Sequence, residues 1–100
     1  MDVRLLYFDG CPNWREADDR VREALRHVGA DPESVVHSVV ATPEDAERLS
    51  FRGSPTILVN GVDPFADPSA PVGLSCRVYV TPDGLKGAPT VQQLLAVMPG

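Results

Sequence analysis

An α/β domain of order β-α-β-α-β-β-α is what this sequence predicts, on three observations. Short apolar runs rich in β-formers alternate with stretches whose apolar residues recur every three or four positions. Capping residues stand at the starts of those periodic stretches. An Asn60-Gly61 pair, the strongest two-residue hairpin signal, follows the third apolar run. Strands that alternate with helices imply right-handed crossovers and a parallel pair covered by helices. The hairpin then adds an antiparallel strand, so a mixed four-stranded sheet flanked by helices is expected. At 100 residues the chain is expected to form one domain over 1–100, large enough for a modest core without metal or disulfide staples.

Val3 to Phe8 is nearly unbroken in apolar residues and is bounded by Asp9-Gly10, which marks a buried first strand. Pro12 suits the first position of a helix, where a missing N–H does no harm. Trp14, Ala17, Val21, Leu25 and Val28 then form one apolar stripe, with Gly29 as the stop. Glu16–Arg20 and Asp18–Arg22 are spaced to support this helix, and Asp19–Glu23 to oppose it. Val35 to Val40 is the second strand. Thr42-Pro43-Glu44-Asp45 starts a short helix with a hydroxyl cap, a proline at the first position and acids in the first turn. Ala46, Leu49 and Phe51 are its inward candidates. Pro55 to Val59 is the third strand, and Val62 to Phe65 is expected to pair back as the fourth. Residues 66–75, rich in Pro, Ala, Gly and Ser, are expected to be an ordered loop. Cys76 to Val80 is extended and is followed by a turn at Pro82-Asp83-Gly84. Thr90 and Gln93 have the spacing of a capping box, which opens a last helix with Val91, Leu94, Leu95 and Met98 on its apolar face.

Composition narrows the function classes. The net charge is −5 and Lys86 is the sole lysine, so no basic cluster is available to neutralise phosphates and a nucleic-acid partner is not expected. No apolar run approaches the roughly 20 residues of a membrane span. Leu5 to Phe8 is followed at once by Asp9 and Gly10, so no signal segment is read and the cytoplasm is the expected compartment. Two cysteines in such a chain are more often thiols than a structural bridge.

Chemistry is expected at Cys11. It precedes a helix N-terminus, whose unpaired N–H groups and partial positive charge stabilise a thiolate. A dithiol redox helix would carry its second cysteine three positions on, where this chain has Trp14. Trp14 is expected to pack the helix onto the sheet or to shield Cys11. Asp9 bears a carboxylate nearby, either opposing the thiolate or shuttling a proton. His27 and His37 have no partner at ligand spacing, and Tyr7 and Tyr79 are not distinguished from core aromatics.

The element order, with a cysteine before the first helix, resembles the thioredoxin-like fold in its compact, glutaredoxin-sized form. Arg52-Gly53-Ser54-Pro55-Thr56-Ile57-Leu58-Val59 is similar to the stretch of that family in which a cis proline lies beside the active-site cysteine. The resemblance implies that Pro55 is cis and that Ser54 offers backbone groups to an extended thiol-bearing substrate. With Pro12 and Trp14, these two residues would line the substrate groove. It further implies monothiol chemistry, since Cys11-Pro12-Asn13-Trp14 departs from the Cys-x-x-Cys pattern. The stretch 66–89 also departs, being longer than a simple hairpin-to-helix connection.

Two redox routes remain. Cys11 forms a mixed disulfide with a small thiol such as glutathione as co-substrate, or Cys76 acts as the resolving thiol. The partner would be a protein or a low-molecular-weight thiol or disulfide, with no tightly bound cofactor. Two rival readings stand beside these. One is soft-metal binding by Cys11, Cys76 and Asp9, which in composition resemble the thiol–thiol–carboxylate set of organomercurial lyase. The other is a non-catalytic thioredoxin-fold module for protein binding or dimerisation.

Overall fold

The computed structural model describes residues 1–99. Its central sheet has three strands: β1 (Val3–Tyr7), β2 (Val36–Val39) and β3 (Thr56–Val59), in the order β2-β1-β3. β1 runs parallel to β2, with Arg4 opposite Val36 and Tyr7 opposite Val39. It runs antiparallel to β3, with Val3 opposite Val59 and Leu6 opposite Thr56. The first crossover carries α1 (Trp14–His27), and the chain passes from β2 to β3 through α2 (Pro43–Arg48).

Side-chain alternation along β1 assigns the two faces. Val3 and Leu5 join Ala17, Val21 and Leu25 of α1, Ile57 and Val59 of β3 and Leu94 of α3 (Val91–Val97) in the larger core. Leu6 turns the other way, onto Val40, Phe51 and Ala46 of α2. Because β2 is an edge strand, Val36 and Val39 are exposed, whereas the flanking Val35 and Val40 are buried.

Local signals account for most boundaries. Thr42 Oγ1 accepts from Asp45 N at 3.1 Å. Thr90 and Gln93 complete a reciprocal capping box. The Glu16–Arg20 and Asp18–Arg22 ion pairs form on α1. Asn60 and Gly61 both take positive φ, 52° and 81°, and Val59 pairs with Val62 across them, as a hairpin turn requires.

Several expectations are corrected. Val62 to Phe65 does not become a fourth strand. Pairing ends at the single Val59–Val62 bridge, and beyond it Asp63 is drawn into side-chain hydrogen bonds. The remaining strands, β4 (Tyr79–Thr81) and β5 (Gly84–Lys86), form a separate antiparallel hairpin around Pro82-Asp83. Tyr79 and Thr81 face inward, while Val78, Val80 and Leu85 are exposed. α1 begins at Trp14 with Asn13 as its cap, so Pro12 lies in the preceding turn rather than at the first helical position. Leu49, one residue past α2, is exposed rather than inward. Residues 87–89 are held against the start of α1. Arg20 donates to the carbonyls of Ala88 and Pro89 at 3.3 and 3.1 Å, and Gly87 lies so close to the Asn13 side chain that a Cβ there would overlap it. Among the described residues no helix is long and apolar enough to cross a membrane.

Candidate functional site

The site is built around one peptide unit. β1 ends at Tyr7, and the chain turns through Asp9 and Gly10 (φ 90°), closed by Cys11 N donating to Phe8 O at 3.2 Å. This turn carries Cys11 back over the start of β3. There the Cys11 thiol donates to the carbonyl oxygen of Ser54 at 3.6 Å. The Ser54–Pro55 peptide is cis. Ser54 Oγ accepts from Phe8 N at 3.4 Å, so both side chain and main chain of Ser54 tie β3 to the cysteine turn.

The opposite side of Ser54 is also occupied. Its N–H donates to Ser75 O at 2.8 Å and its carbonyl accepts from Arg77 N at 2.9 Å, a parallel one-residue bridge between Ser54 and Cys76. Ser54 O therefore receives two donors, the Cys11 thiol and the Arg77 amide. Ser54 and Pro55 are fully buried. Cys11 is 5% exposed, whereas Cys76 is exposed and opens onto a cleft of about 200 Å³ flanked by Arg52 and Arg77. Both thiols are free.

Close approach of the 75–77 segment depends on Gly53 (φ 118°). A Cβ there would lie 3.0 Å from Arg77 Cβ and 3.1 Å from Ser75 O, in a backbone conformation side chains rarely adopt. The segment is then fixed by the Arg77 side chain. Its guanidinium donates to both oxygens of Asp63 at 2.6 and 3.2 Å, to Thr56 Oγ1 at 3.2 Å and to Phe65 O at 2.7 Å. It also lies over the Tyr79 ring, 4.8 Å from the centroid. Burial is the largest single influence and opposes the charge on Arg77, but the bond to Asp63 together with the charges of Asp63, Asp67 and Tyr79 outweighs it and holds the pKa above its ordinary value. The Tyr79 hydroxyl donates to Pro55 O at 2.5 Å. Burial pushes the Tyr79 phenol upward, against the pull of Arg77 and with help from Asp63 and Cys11.

No family model matches this chain, and neither a curated protein nor a solved structure matches it.

The structure brings together only some of the residues singled out from the sequence. Cys11, Ser54, Pro55 and the backbone of Cys76 come together. Trp14 stacks on Tyr7 with ring centroids 4.2 Å apart at 16°, and meets His37 edge-on at 5.7 Å. It thus packs α1 onto the sheet beside the cysteine turn. His37 is not isolated: its Nε2 lies 2.7 Å from Asp18, which also holds Arg22. Pro12 is exposed at the rim of the turn. Among the described residues no three His, Cys, Asp or Glu side chains converge as a metal site requires, so Cys11, Cys76 and Asp9 do not form a ligand set.

Asp63 is not singled out by the sequence, and the convergence of Arg77, Asp63 and Tyr79 beside Ser54–Pro55 is not expected from it. One signal for them existed: Arg77 is a lone charge inside Cys76-Arg77-Val78-Tyr79-Val80, and a charge in an extended apolar run needs a buried partner.

Proposed function

We propose that this chain is a thioredoxin-like, glutaredoxin-sized domain whose activity is thiol–disulfide exchange at Cys11. The observation that carries the reading is the Cys11 sulfur set 3.6 Å from the carbonyl that precedes cis Pro55. The parallel β1–β2 pair, the antiparallel β1–β3 pair and the helix between β1 and β2 support the fold part of the reading. In the reaction, the Cys11 thiol leaves Ser54 O, loses its proton and attacks one sulfur of a disulfide. A mixed disulfide forms at Cys11 and the other sulfur departs as a thiolate, which takes up a proton. Cys76, attached to the other side of Ser54, is the candidate resolving thiol. Its exposed side chain would then attack Cys11 Sγ, leaving an internal disulfide and releasing the second thiol.

Intact-mass measurement tests this directly. Incubation with oxidised glutathione should add one glutathione to the Cys76→Ser protein, removable by dithiothreitol, and none to Cys11→Ser/Cys76→Ser. Mild oxidation of the wild-type protein should remove two hydrogens through a Cys11–Cys76 link. Absence of both products rejects the reading. A second reading, a non-catalytic binding module, is favoured by the burial of Cys11 and by its thiol hydrogen bond to a carbonyl. It expects neither product.

A further inference from the structure

The main-chain edge beside Cys11 is already filled by the chain itself. We propose that Ser75–Arg77 is a built-in occupant of the Ser54 edge that bars extended polypeptides from Cys11 and reserves the site for low-molecular-weight disulfides. This inference rests on the exchange reading above and narrows its partner class.

A polypeptide that delivers a disulfide to a sunken sulfur must lay its own main chain alongside, and strand addition needs a free N–H and a free C=O. At Ser54 neither is free, because Ser75 O and Arg77 N take them at 2.8 and 2.9 Å. The occupant is also fastened at points distant from Ser54. Arg52 donates to the carbonyls of Pro68 and Ala70, Gly73 N donates to Phe51 O at 3.0 Å, and Arg77 is clamped by Asp63, Thr56 and Phe65. Gly53 lets the segment lie closer than any other residue would allow. A cysteine that is 5% exposed beside a main-chain edge already taken in this way is reached by a small disulfide, whose flanking atoms need no strand pairing, and not by a disulfide embedded in an extended chain.

The test uses the Cys76→Ser protein, in which Cys11 is the sole thiol. Two mixed disulfides with the same nitrothiobenzoate leaving group are compared: one made from N-acetylcysteine amide, the other from an extended peptide with a central cysteine. Attack of Cys11 on the cysteine sulfur releases the coloured thiolate, so both rates are read by absorbance. The small reagent should react about a hundredfold faster, the equivalent of displacing two main-chain hydrogen bonds. In Asp63→Asn/Cys76→Ser, which loosens the strap while leaving Ser54 and Pro55 in place, the peptide rate should rise about tenfold relative to the small reagent. Equal rates in the Cys76→Ser protein would overturn the strap inference while leaving exchange at Cys11 intact. So would an unchanged ratio in a folded Asp63→Asn/Cys76→Ser protein, checked by circular dichroism. No reaction with either reagent would instead reject the exchange reading, and the inference with it.

Discussion

The halves of this molecule on either side of Asn60-Gly61 are held together by different means. Residues 3–59 form a ladder-bonded sheet with two apolar faces, one covered by the aliphatic stripe of α1 and the other by Ala46 of α2 with Val40 and Phe51. Residues 62–83 contain one three-residue strand, β4, which is one edge of the hairpin, and their cohesion comes from side chains donating to carbonyls and carboxylates, with Arg77 at the centre. The first region buries area and the second satisfies a buried charge. Cys11 lies on the seam, its thiol bonded to Ser54 O, the same carbonyl that accepts from Arg77 N of the second region. Removing a charge should therefore damage the second region as much as removing a core side chain damages the first.

The largest effect is expected from Arg77→Ala. The pair is deeply placed, with 8% and 17% of the Arg77 and Asp63 side chains exposed, so deletion strands a carboxylate that cannot reach water freely. Breaking such a pair costs about 3–5 kcal/mol. At roughly 4 °C or more per kcal/mol for a chain of this size, Tm should fall by about 12 °C or more. Arg77→Lys should recover little, because an ammonium cannot span Asp63, Thr56 and Phe65 together. A loss below about 1 kcal/mol in urea unfolding would mean that the second region does not depend on this charge.

Leu25→Ala is the counterpart in the first region. Leu25 is 1% exposed among Val21, Ile57 and their neighbours, and truncation there costs about 2–4 kcal/mol through lost transfer energy and a cavity. The contrast sharpens if each variant is also probed at Cys76. Alkylation of Cys76 should become faster in Arg77→Ala at temperatures where the protein is still folded, and stay unchanged in Leu25→Ala. Equal acceleration in both would mean that the strap and the core loosen as one unit.

This difference in cohesion is also why the two regions were unequally legible. Periodicity and caps place β1, α1, β2, α2, β3 and α3 within a few residues, because each signal sits in the same segment as the structure it specifies. Thr42 with Asp45, or Thr90 with Gln93, is a complete contact within four residues. Arg77 with Asp63 and Thr56 is not: the partners are 14 and 21 residues away, and no local pattern connects them. The fourth strand is expected at Val62–Phe65 because Asn60-Gly61 turns the chain back there, but pairing stops at Val62, Pro64 has no N–H to give a ladder, and Asp63 Oδ2 and Phe65 O accept from the Arg77 guanidinium instead. The Cys11–Ser54–Pro55 half of the candidate site was legible for a related reason, since both of its segments carry recognisable motifs. Of the Ser75–Arg77 half only Cys76 stands out in the sequence, and its pairing with Ser54 does not, because a one-residue bridge leaves no periodic trace.

The smallest effect expected is a pH dependence that reads the seam itself. Burial raises the Tyr79 phenol above its ordinary value of 10.0, with Arg77 opposing the shift. Above pH 10 the unfolded chain loses the proton that the folded state still keeps, so folding is fully supported below that pH and progressively less as pH rises further. The slope from this one group cannot exceed roughly 1.4 kcal/mol per pH unit. Tyr79→Phe removes both the titration and the bond to Pro55 O, so it should lower stability near neutral pH by about 1 kcal/mol. Its urea midpoint should nonetheless fall less steeply than the wild type's between pH 10 and 11. If the two proteins decline in parallel, Tyr79 is not the group that couples high pH to unfolding, and its hydroxyl is more accessible than its position under the Pro55 carbonyl implies. If the decline flattens in Tyr79→Phe and the Cys11 adduct still forms, the hydroxyl secures the Ser54–Pro55 unit without taking part in the exchange.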